Sequence, residues 1–168
     1  MVQRSRRLNG FNHFGIKPYQ RDLAEFRQTL RGTYHRLDAP GEEHPLAVTV
    51  RAQVHAVSQL VLHPKADLSG EIDAEGLADH KPVRGSLEVR PLARLLVYEL
   101  HFPDNNGREL RLHGRAEVEL EIDPGRMIET MTTVPGSIYD GEEEIGRALL
   151  RFSPRTELLK LLRSFKTT

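Results

Sequence analysis

The chain contains no cysteine and no tryptophan, and only 6% of its 168 residues are aromatic. The absence of cysteine excludes disulfides, thiolate metal sites and cysteine nucleophiles, and it makes a reducing, cytoplasmic location the simplest expectation. An excess of one charge is also missing, because 24 basic residues balance 24 acidic ones. Since no overall field would draw such a protein to a polyanion, we expect no nucleic-acid partner.

Long apolar runs are missing as well. No stretch approaches the roughly 20 apolar residues of a membrane-spanning helix, and the basic residues 1–7 do not lead into the apolar segment of a secretory signal. We therefore expect a soluble protein with no integral membrane segment. The length suits one domain, so we predict a basic N-terminal arm over residues 1–17 and a single domain over residues 18–168.

The chain does contain a strong period-two alternation. From Leu110 to Ile122 every second residue is apolar or glycine, and the residues between are charged or histidine. This is the pattern of a β-strand with one face in water. Similar segments recur between turn sequences such as residues 104–107. The pattern predicts a mainly β fold, with about eight antiparallel strands in an up-and-down barrel of the lipocalin or calycin kind.

Two segments near the termini have helical spacing instead. From Pro18 to Gln28, apolar residues recur at helical intervals and predict a short N-terminal helix that acts as a lid or plug. Ser153 suits the N-cap, and Pro154 the first turn, of a C-terminal helix over residues 154–166. We expect the C-terminal helix to pack over one mouth of the barrel.

A glycine lies in the middle of the apolar face in about six of the predicted strands. These glycines are Gly32, Gly70, Gly85, Gly114, Gly136 and, more loosely, Gly146. They favour the kinks that strongly coiled strands need in a small barrel. The alternative is that the missing side chains leave a lumen for a ligand.

Candidate binding residues are those that the alternation places inside the barrel. Tyr34 and Tyr98 fall on the inner face of their strands. In a less regular strand near residue 130, we expect Glu129, Met131 and Thr133 to share the inner face, which brings a carboxylate into the lumen, where it needs a partner. We predict these five residues as the ligand-binding set.

No motif of an enzyme or of a cofactor site stands out. The chain has no nucleophile elbow, no P-loop and no dinucleotide fingerprint, and its eight histidines lack the paired spacing of a metal site. We therefore predict no catalytic residue, no metal and no cofactor. One enzyme alternative stays open, a barrel isomerase or cyclase that uses Glu129 and a tyrosine as acid and base.

Five short motifs follow one another along the chain. They are Gly-Thr-Tyr-His at 32–35, Gly-Ser-Leu-Glu-Val-Arg-Pro-Leu at 85–92, Tyr-Glu-Leu-His-Phe at 98–102, Glu-Thr-Met-Thr-Thr at 129–133 and Arg-Phe-Ser-Pro at 151–154. In this order they resemble a bacterial domain found in long chains that also carry a glucose-methanol-choline (cholesterol-oxidase-like) oxidoreductase unit or an α/β-hydrolase unit. The resemblance implies an accessory role near lipid or sterol chemistry, with such an oxidoreductase or hydrolase as partner.

Together these features favour a non-catalytic β-barrel that binds a small apolar molecule, such as a lipid or sterol, in its lumen. The alternative is a structural or interaction module with a solid barrel, whose ends or terminal helix dock a partner enzyme. Filling of the lumen by the protein's own side chains would distinguish the second from the first.

Overall fold

The computed structural model describes residues 24–54, 65–90, 93–117 and 132–153. These residues form eight antiparallel strands that close into a barrel in chain order, with the last strand paired to the first. The strands are β1 (Ala24–Arg36), β2 (Ala39–Val54), β3 (Lys65–Ala74), β4 (Ala78–Arg90), β5 (Leu95–Pro103), β6 (Glu109–Glu117), β7 (Thr132–Asp140) and β8 (Glu143–Phe152). The predicted eight-stranded antiparallel barrel is confirmed.

The strands of the barrel are strongly staggered. Following register partners from Phe26 once around the eight strands leads back to β1 at Arg36, ten residues further on. A stagger of this kind goes with strands tilted by about 35–45° to the barrel axis. Because the strands are tilted, each inner row of side chains crosses the interior obliquely and meets rows from the opposite wall.

The apolar rows of the alternating strands form one continuous core inside the barrel. Val48, Ile72, Leu87, Leu96 and Phe102, from four different strands, are all fully buried. Removal of this apolar surface from water is the main favourable contribution to closing the barrel.

Three of the inner-row glycines are required by close approaches of the backbone. A Cβ atom on Gly32, Gly70 or Gly85 would lie 1.8–1.9 Å from a carbonyl oxygen of the neighbouring strand. These positions are therefore kinks of coiled strands, as the first of the two interpretations predicts. Gly114 is buried but Gly70 is exposed at its bend, so the expectation that all these glycines face inwards is not met.

The two ends of the barrel differ in their connections. At one end, which we call the turn end, residues 37–38, 75–77, 104–108 and 141–142 make short turns. At the other end, which we call the terminal end, β1, β3, β5 and β7 begin and β2, β4, β6 and β8 end.

Hydrogen bonds link the short turns to one another. The backbone N–H of Asn105 donates to the carbonyl of Leu77 over 2.9 Å, and the Leu77 side chain is buried. The Asp104 carboxylate accepts from the N–H groups of Asn106 and Arg108, each at 2.8 Å, and from Arg108 Nε at 2.9 Å. Burial alone would raise the pKa of Asp104, but the hydrogen bonds from Arg108 and Asn106 lower it below its ordinary value.

The described residues contain no helix, and hence none that is long and apolar enough to cross a membrane. The predicted N-terminal helix is wrong for residues 24–28, which form the first part of β1; over residues 25–28 exposed and buried side chains alternate. Residues 18–23, the predicted C-terminal helix at 154–166 and the final residues of the strand predicted to reach Ile122 lie outside the described residues.

Candidate ligand site inside the barrel

A buried polar pair spans the interior of the barrel. The Tyr98 hydroxyl donates to Gln28 Oε1 over 3.0 Å, and both residues are buried. Gln28 lies on β1 and Tyr98 on β5, on opposite sides of the ring of eight strands, so this hydrogen bond crosses the lumen. The ring of Phe152 meets that of Tyr98 edge-on, with centroids 6.3 Å apart. At this level the protein's own side chains occupy the cross-section.

The amide nitrogen of Gln28 is not used within this pair. Gln28 Oε1 accepts from Tyr98, whereas Gln28 Nε2 has no hydrogen-bond partner among the residues that the structure describes. Every fully buried side-chain nitrogen or oxygen in the same ranges is hydrogen-bonded, so this nitrogen borders accessible space. An amide NH₂ donates to carbonyl, carboxylate or hydroxyl oxygens. Gln28 therefore presents a donor on the inner wall.

The inner wall near the terminal end is otherwise mostly apolar. Its buried residues are Phe26, Ala52, Val54, Ala66, Val89, Leu96, Ala116 and Phe152. Thr132 is half-buried and is the register partner of Phe152. Burial strongly raises the pKa of Tyr98, so its hydroxyl stays protonated and keeps donating to Gln28.

Tyr34 is buried at the turn end and belongs to a different environment. Its hydroxyl donates to the carbonyl oxygen of Glu75, and its ring lies beside that of His44, with centroids 5.4 Å apart. Burial raises the pKa of Tyr34. Gln28 precedes Tyr34 by six residues on β1, which is about 20 Å along a strand. The structure therefore does not bring Tyr34 and Tyr98 together in one site.

Thr133 is exposed, so the prediction that it faces the lumen is wrong. The inner row of β7 runs through Val134 and Ile138, which are both buried, and adjacent residues of a strand face opposite sides. Glu129 and Met131 lie outside the described residues. Their inward orientation, and the isomerase alternative that depends on Glu129, stay predictions.

The sequence prediction omits Gln28, because a helix over residues 18–28 leaves it outside the first strand. The signal is nevertheless present in the sequence. Every second residue from 26 to 34 belongs to one face of a strand, and these residues are Phe26, Gln28, Leu30, Gly32 and Tyr34. Extending the strand pattern back to residue 24 places a glutamine on an apolar face, where its amide needs a partner.

A second polar cluster lies on the outer face of β5, β6 and β7. Glu99 Oε2 lies 2.7 Å from His113 Nδ1, and Glu99 Oε1 accepts from Arg111 over 2.9 Å. Burial opposes ionisation of Glu99, but these hydrogen bonds lower its pKa below the ordinary value. Ser137, the register partner of His113, donates instead to Glu144 over 2.9 Å. This cluster therefore has no serine activated by a histidine.

Among the described residues we also considered a metal site and a groove on the outer surface. In the described ranges, no group of three or more histidine, aspartate or glutamate side chains is placed to hold a metal ion. An open groove of about 480 Å³ on the outer surface is lined by residues of both charges, among them Arg31, Asp73, Asp79 and His80.

No protein-family model, curated protein or solved structure matches this chain.

Proposed function

We propose that this protein is a non-catalytic, lipocalin-like β-barrel that binds a small apolar molecule carrying one hydrogen-bond acceptor, at the terminal end of its interior. The observation that supports the proposal is the Gln28 amide, which lies on an apolar wall with its oxygen held by Tyr98 and its nitrogen unpaired within the described residues. Apolar pockets with a few placed polar groups are the usual form of a small-molecule site.

In this proposal the apolar body of the ligand packs against the inner wall near the terminal end. Its carbonyl, carboxylate or hydroxyl oxygen accepts a hydrogen bond from Gln28 Nε2. Tyr98 is a positioning residue, because its hydroxyl fixes which end of the Gln28 amide faces the ligand. A fatty acid or a sterol has this combination of an apolar body and one acceptor, in keeping with the lipid or sterol chemistry that the sequence resemblance implies.

The proposal is tested with the full chain and a fluorescent fatty-acid probe, 11-(dansylamino)undecanoic acid. We expect the probe to bind and to be displaced by unlabelled fatty acid. Gln28→Leu keeps an apolar wall but removes the donor, and a hydrogen bond contributes about 1 kcal/mol, so affinity should fall by about fivefold. The matched control is Gln53→Leu, the same change on an exposed residue of β2.

Two results would contradict the proposal. One is that neither the probe nor a molecule retained in native mass spectrometry of the purified protein is bound. The other is that Gln28→Leu and Gln53→Leu weaken the probe equally, because the exposed glutamine lies outside the barrel.

The second candidate function is an interaction module with a solid barrel. It is favoured by the contacts of Tyr98 with Gln28 and Phe152, which cross the lumen from three strands and leave little room at that level. Such a module would dock a partner, and the oxidoreductase or hydrolase implied by the sequence resemblance is the first to test. Co-purification of a partner with the wild-type chain, without bound lipid, would favour this candidate over the first.

A further inference from the structure

The Gln28 amide lies among apolar side chains of the described strands. On the inner row of β1 it stands between Phe26 and Leu30, and its register partner on β2 is Val50. Its polar contact is the Tyr98 hydroxyl, which donates to the amide oxygen. The amide nitrogen is therefore an uncharged donor in apolar surroundings.

The described strands bring no charged side chain to this level of the interior. Near Gln28, the inner rows of the other strands are aliphatic, aromatic or glycine, with the neutral hydroxyl of the half-buried Thr132 beside them. Among the described residues at this level, Tyr98 is the only titratable one. Asp104 is the only buried charged residue in the described ranges, and its carboxylate is bound in the β5–β6 turn by donors that include Arg108. These strands therefore offer a ligand at Gln28 no cation that would neutralise a carboxylate.

Tyr98 shows how this environment treats a negatively charged oxygen. Burial strongly raises the pKa of Tyr98, because the phenolate would lose its hydration there. A ligand carboxylate in the same place would lose its hydration in the same way, and one amide nitrogen provides few of the hydrogen bonds that its two oxygens accept. A buried charge without a partner is costly, so such a group takes up a proton instead.

Accessible surface in the interior reaches Gln28 from the terminal end. Gln28 is 4% exposed, and Phe26 and Val54, which lie nearer that end, are 7% and 5% exposed. Leu30 and its register partner Val48, one step nearer the turn end, are only 1% and 0% exposed. A ligand oxygen at Gln28 would therefore lie at the inner end of the accessible space, and the apolar body would extend past Phe26 towards the terminal end.

We propose that the ligand is an uncharged lipid, bound with its oxygen inward at Gln28: a long-chain alcohol, a long-chain ketone or a sterol rather than a fatty-acid anion. This inference rests on the proposed function and narrows its ligand from any hydrogen-bond acceptor to an uncharged one. A single hydroxyl or carbonyl oxygen is satisfied by the one donor that Gln28 has left. A fatty acid, the dansyl probe included, binds in this site as the protonated acid.

The test compares decanol, methyl octyl ketone and decanoic acid, which have the same number of carbons, by isothermal titration calorimetry with the full chain. We expect the alcohol and the ketone to bind equally well at about pH 6 and about pH 8, because neither titrates in this range. The affinity of decanoic acid should fall by about 100-fold between these two pH values, because its protonated fraction falls tenfold with each pH unit above an ordinary carboxyl pKa of about 4–5. The alcohol and the ketone also control for any titration of the protein itself.

The ketone tests the Gln28 donor, because a ketone only accepts hydrogen bonds. Gln28→Leu should weaken the ketone by about fivefold, whereas Gln53→Leu, the same change at an exposed position of β2, should leave its affinity unchanged. Equal losses in the two variants would overturn the inward orientation of the oxygen.

The pH comparison needs only the wild-type chain, so it does not depend on the folding of a variant. If decanoic acid bound as tightly at the higher pH as at the lower, beside an alcohol that also bound, the proposed function would stand and this inference would be overturned. If none of the three ligands bound at either pH, the inference and the proposed function would both be overturned.

Discussion

The two ends of the barrel use their buried polar groups in different ways. At the turn end, the Asp104 carboxylate accepts hydrogen bonds from three donors, and the Tyr34 hydroxyl is bound to a turn carbonyl. At the terminal end, the Tyr98–Gln28 pair leaves the Gln28 amide nitrogen without a partner in the described residues. Polar groups at the turn end therefore bind one another, whereas the terminal end has one amide donor without a partner in the described residues, and the proposed ligand site depends on that donor.

The two buried tyrosines are the same residue type, and they show the same difference between the two ends. Each lies on an inner row and donates one hydrogen bond, but Tyr34 donates to the backbone of a turn and Tyr98 donates to another side chain. A backbone acceptor is fixed by the strands on either side. A side-chain acceptor has a second functional end, and in Gln28 that end is the donor on which the proposed function depends.

The largest expected effect comes from the kinks that lie between the two ends. In Gly85→Ala the new Cβ would lie 1.8 Å from the carbonyl oxygen of Glu99, and only a shift of the backbone relieves such a contact. We expect the free energy of unfolding in urea to fall by at least about 3 kcal/mol. Binding of the fatty-acid probe at the terminal end should weaken as well, because the kink shapes both halves of the barrel.

The control for this substitution is Gly41→Ala. Gly41 lies on β2 where a Cβ meets nothing within 4 Å, so the change should stay within about 0.5 kcal/mol. Similar stabilities for the Gly85 and Gly41 variants would show that the close approach at Gly85 does not constrain the barrel.

The next effect concerns the turn end alone. Asp104→Ala leaves the N–H groups of Asn106 and Arg108 without their acceptor and removes a charge-assisted bond to Arg108. We expect a loss of about 2 kcal/mol in urea unfolding, with probe affinity unchanged. Asp38→Ala, in the exposed β1–β2 turn where the carboxylate bonds only Arg36 among described partners, should cost much less.

The same carboxylate contributes to the fall in stability at acid pH. The pKa of Asp104 is lower in the folded protein than its ordinary value of 3.8, so the folded state favours the ionised form. Its stabilising contribution is complete above about pH 4 and is lost as the pH falls through the folded-state pKa. Urea unfolding followed at decreasing pH should show a fall in stability in this range that is smaller in Asp104→Ala. An identical pH dependence in wild type and variant would contradict this assignment.

The architecture was more accessible from sequence than the site, for a physical reason. Alternation along Leu110–Glu117 and the Asn-Gly turn at 106–107 are local signals, and they predict strands and hairpins that the structure contains. About eight strands joined by short turns pair in antiparallel order, and closing them into a barrel leaves no unpaired edge strand.

The site depends instead on contacts between residues far apart in the chain. Tyr98 and Gln28 are separated by 70 residues, and only closure of the barrel brings them together. The wrong helix over 24–28 and the wrong face for Thr133 are errors of one element boundary and of one-residue phase. In a strand, such a shift moves every side chain to the other face.

A third pair of variants tests the two tyrosines directly. Tyr34→Phe and Tyr98→Phe each remove one hydroxyl from a buried hydrogen bond, so each should lower the free energy of unfolding by about 1 kcal/mol. Only Tyr98→Phe should weaken the fatty-acid probe, by a few-fold, because the Gln28 amide is then free to rotate. If Tyr34→Phe weakened the probe as much, the ligand would not be confined to the terminal end.

The smallest expected effect lies at His80, close to the turn end on the outer surface. His80 has a positive φ of 48°, and its Nδ1 lies 3.2 Å from Glu71 Oε1. The hydrogen bond to Glu71, with the nearby charge of Asp73, raises the pKa of His80 above its ordinary value of 6.5. A raised folded-state pKa means that protonation favours folding, so the contribution is complete below about pH 6 and disappears as the pH rises through the folded-state pKa.

A nuclear magnetic resonance titration of the His80 ring measures this pKa, and Glu71→Gln should move it back towards 6.5. His80→Asn keeps a residue that tolerates positive φ, and it should remove a slight loss of stability as the pH rises from about 6 through the folded-state pKa of His80. Because His80 is exposed on the outer surface near the turn end, whereas Gln28 is buried towards the terminal end, probe binding should be the same in this variant and the wild type across that range. A probe affinity that followed the His80 titration would instead mean that the two ends are coupled, and that the hydrogen bonds of the turn end help to shape the ligand site.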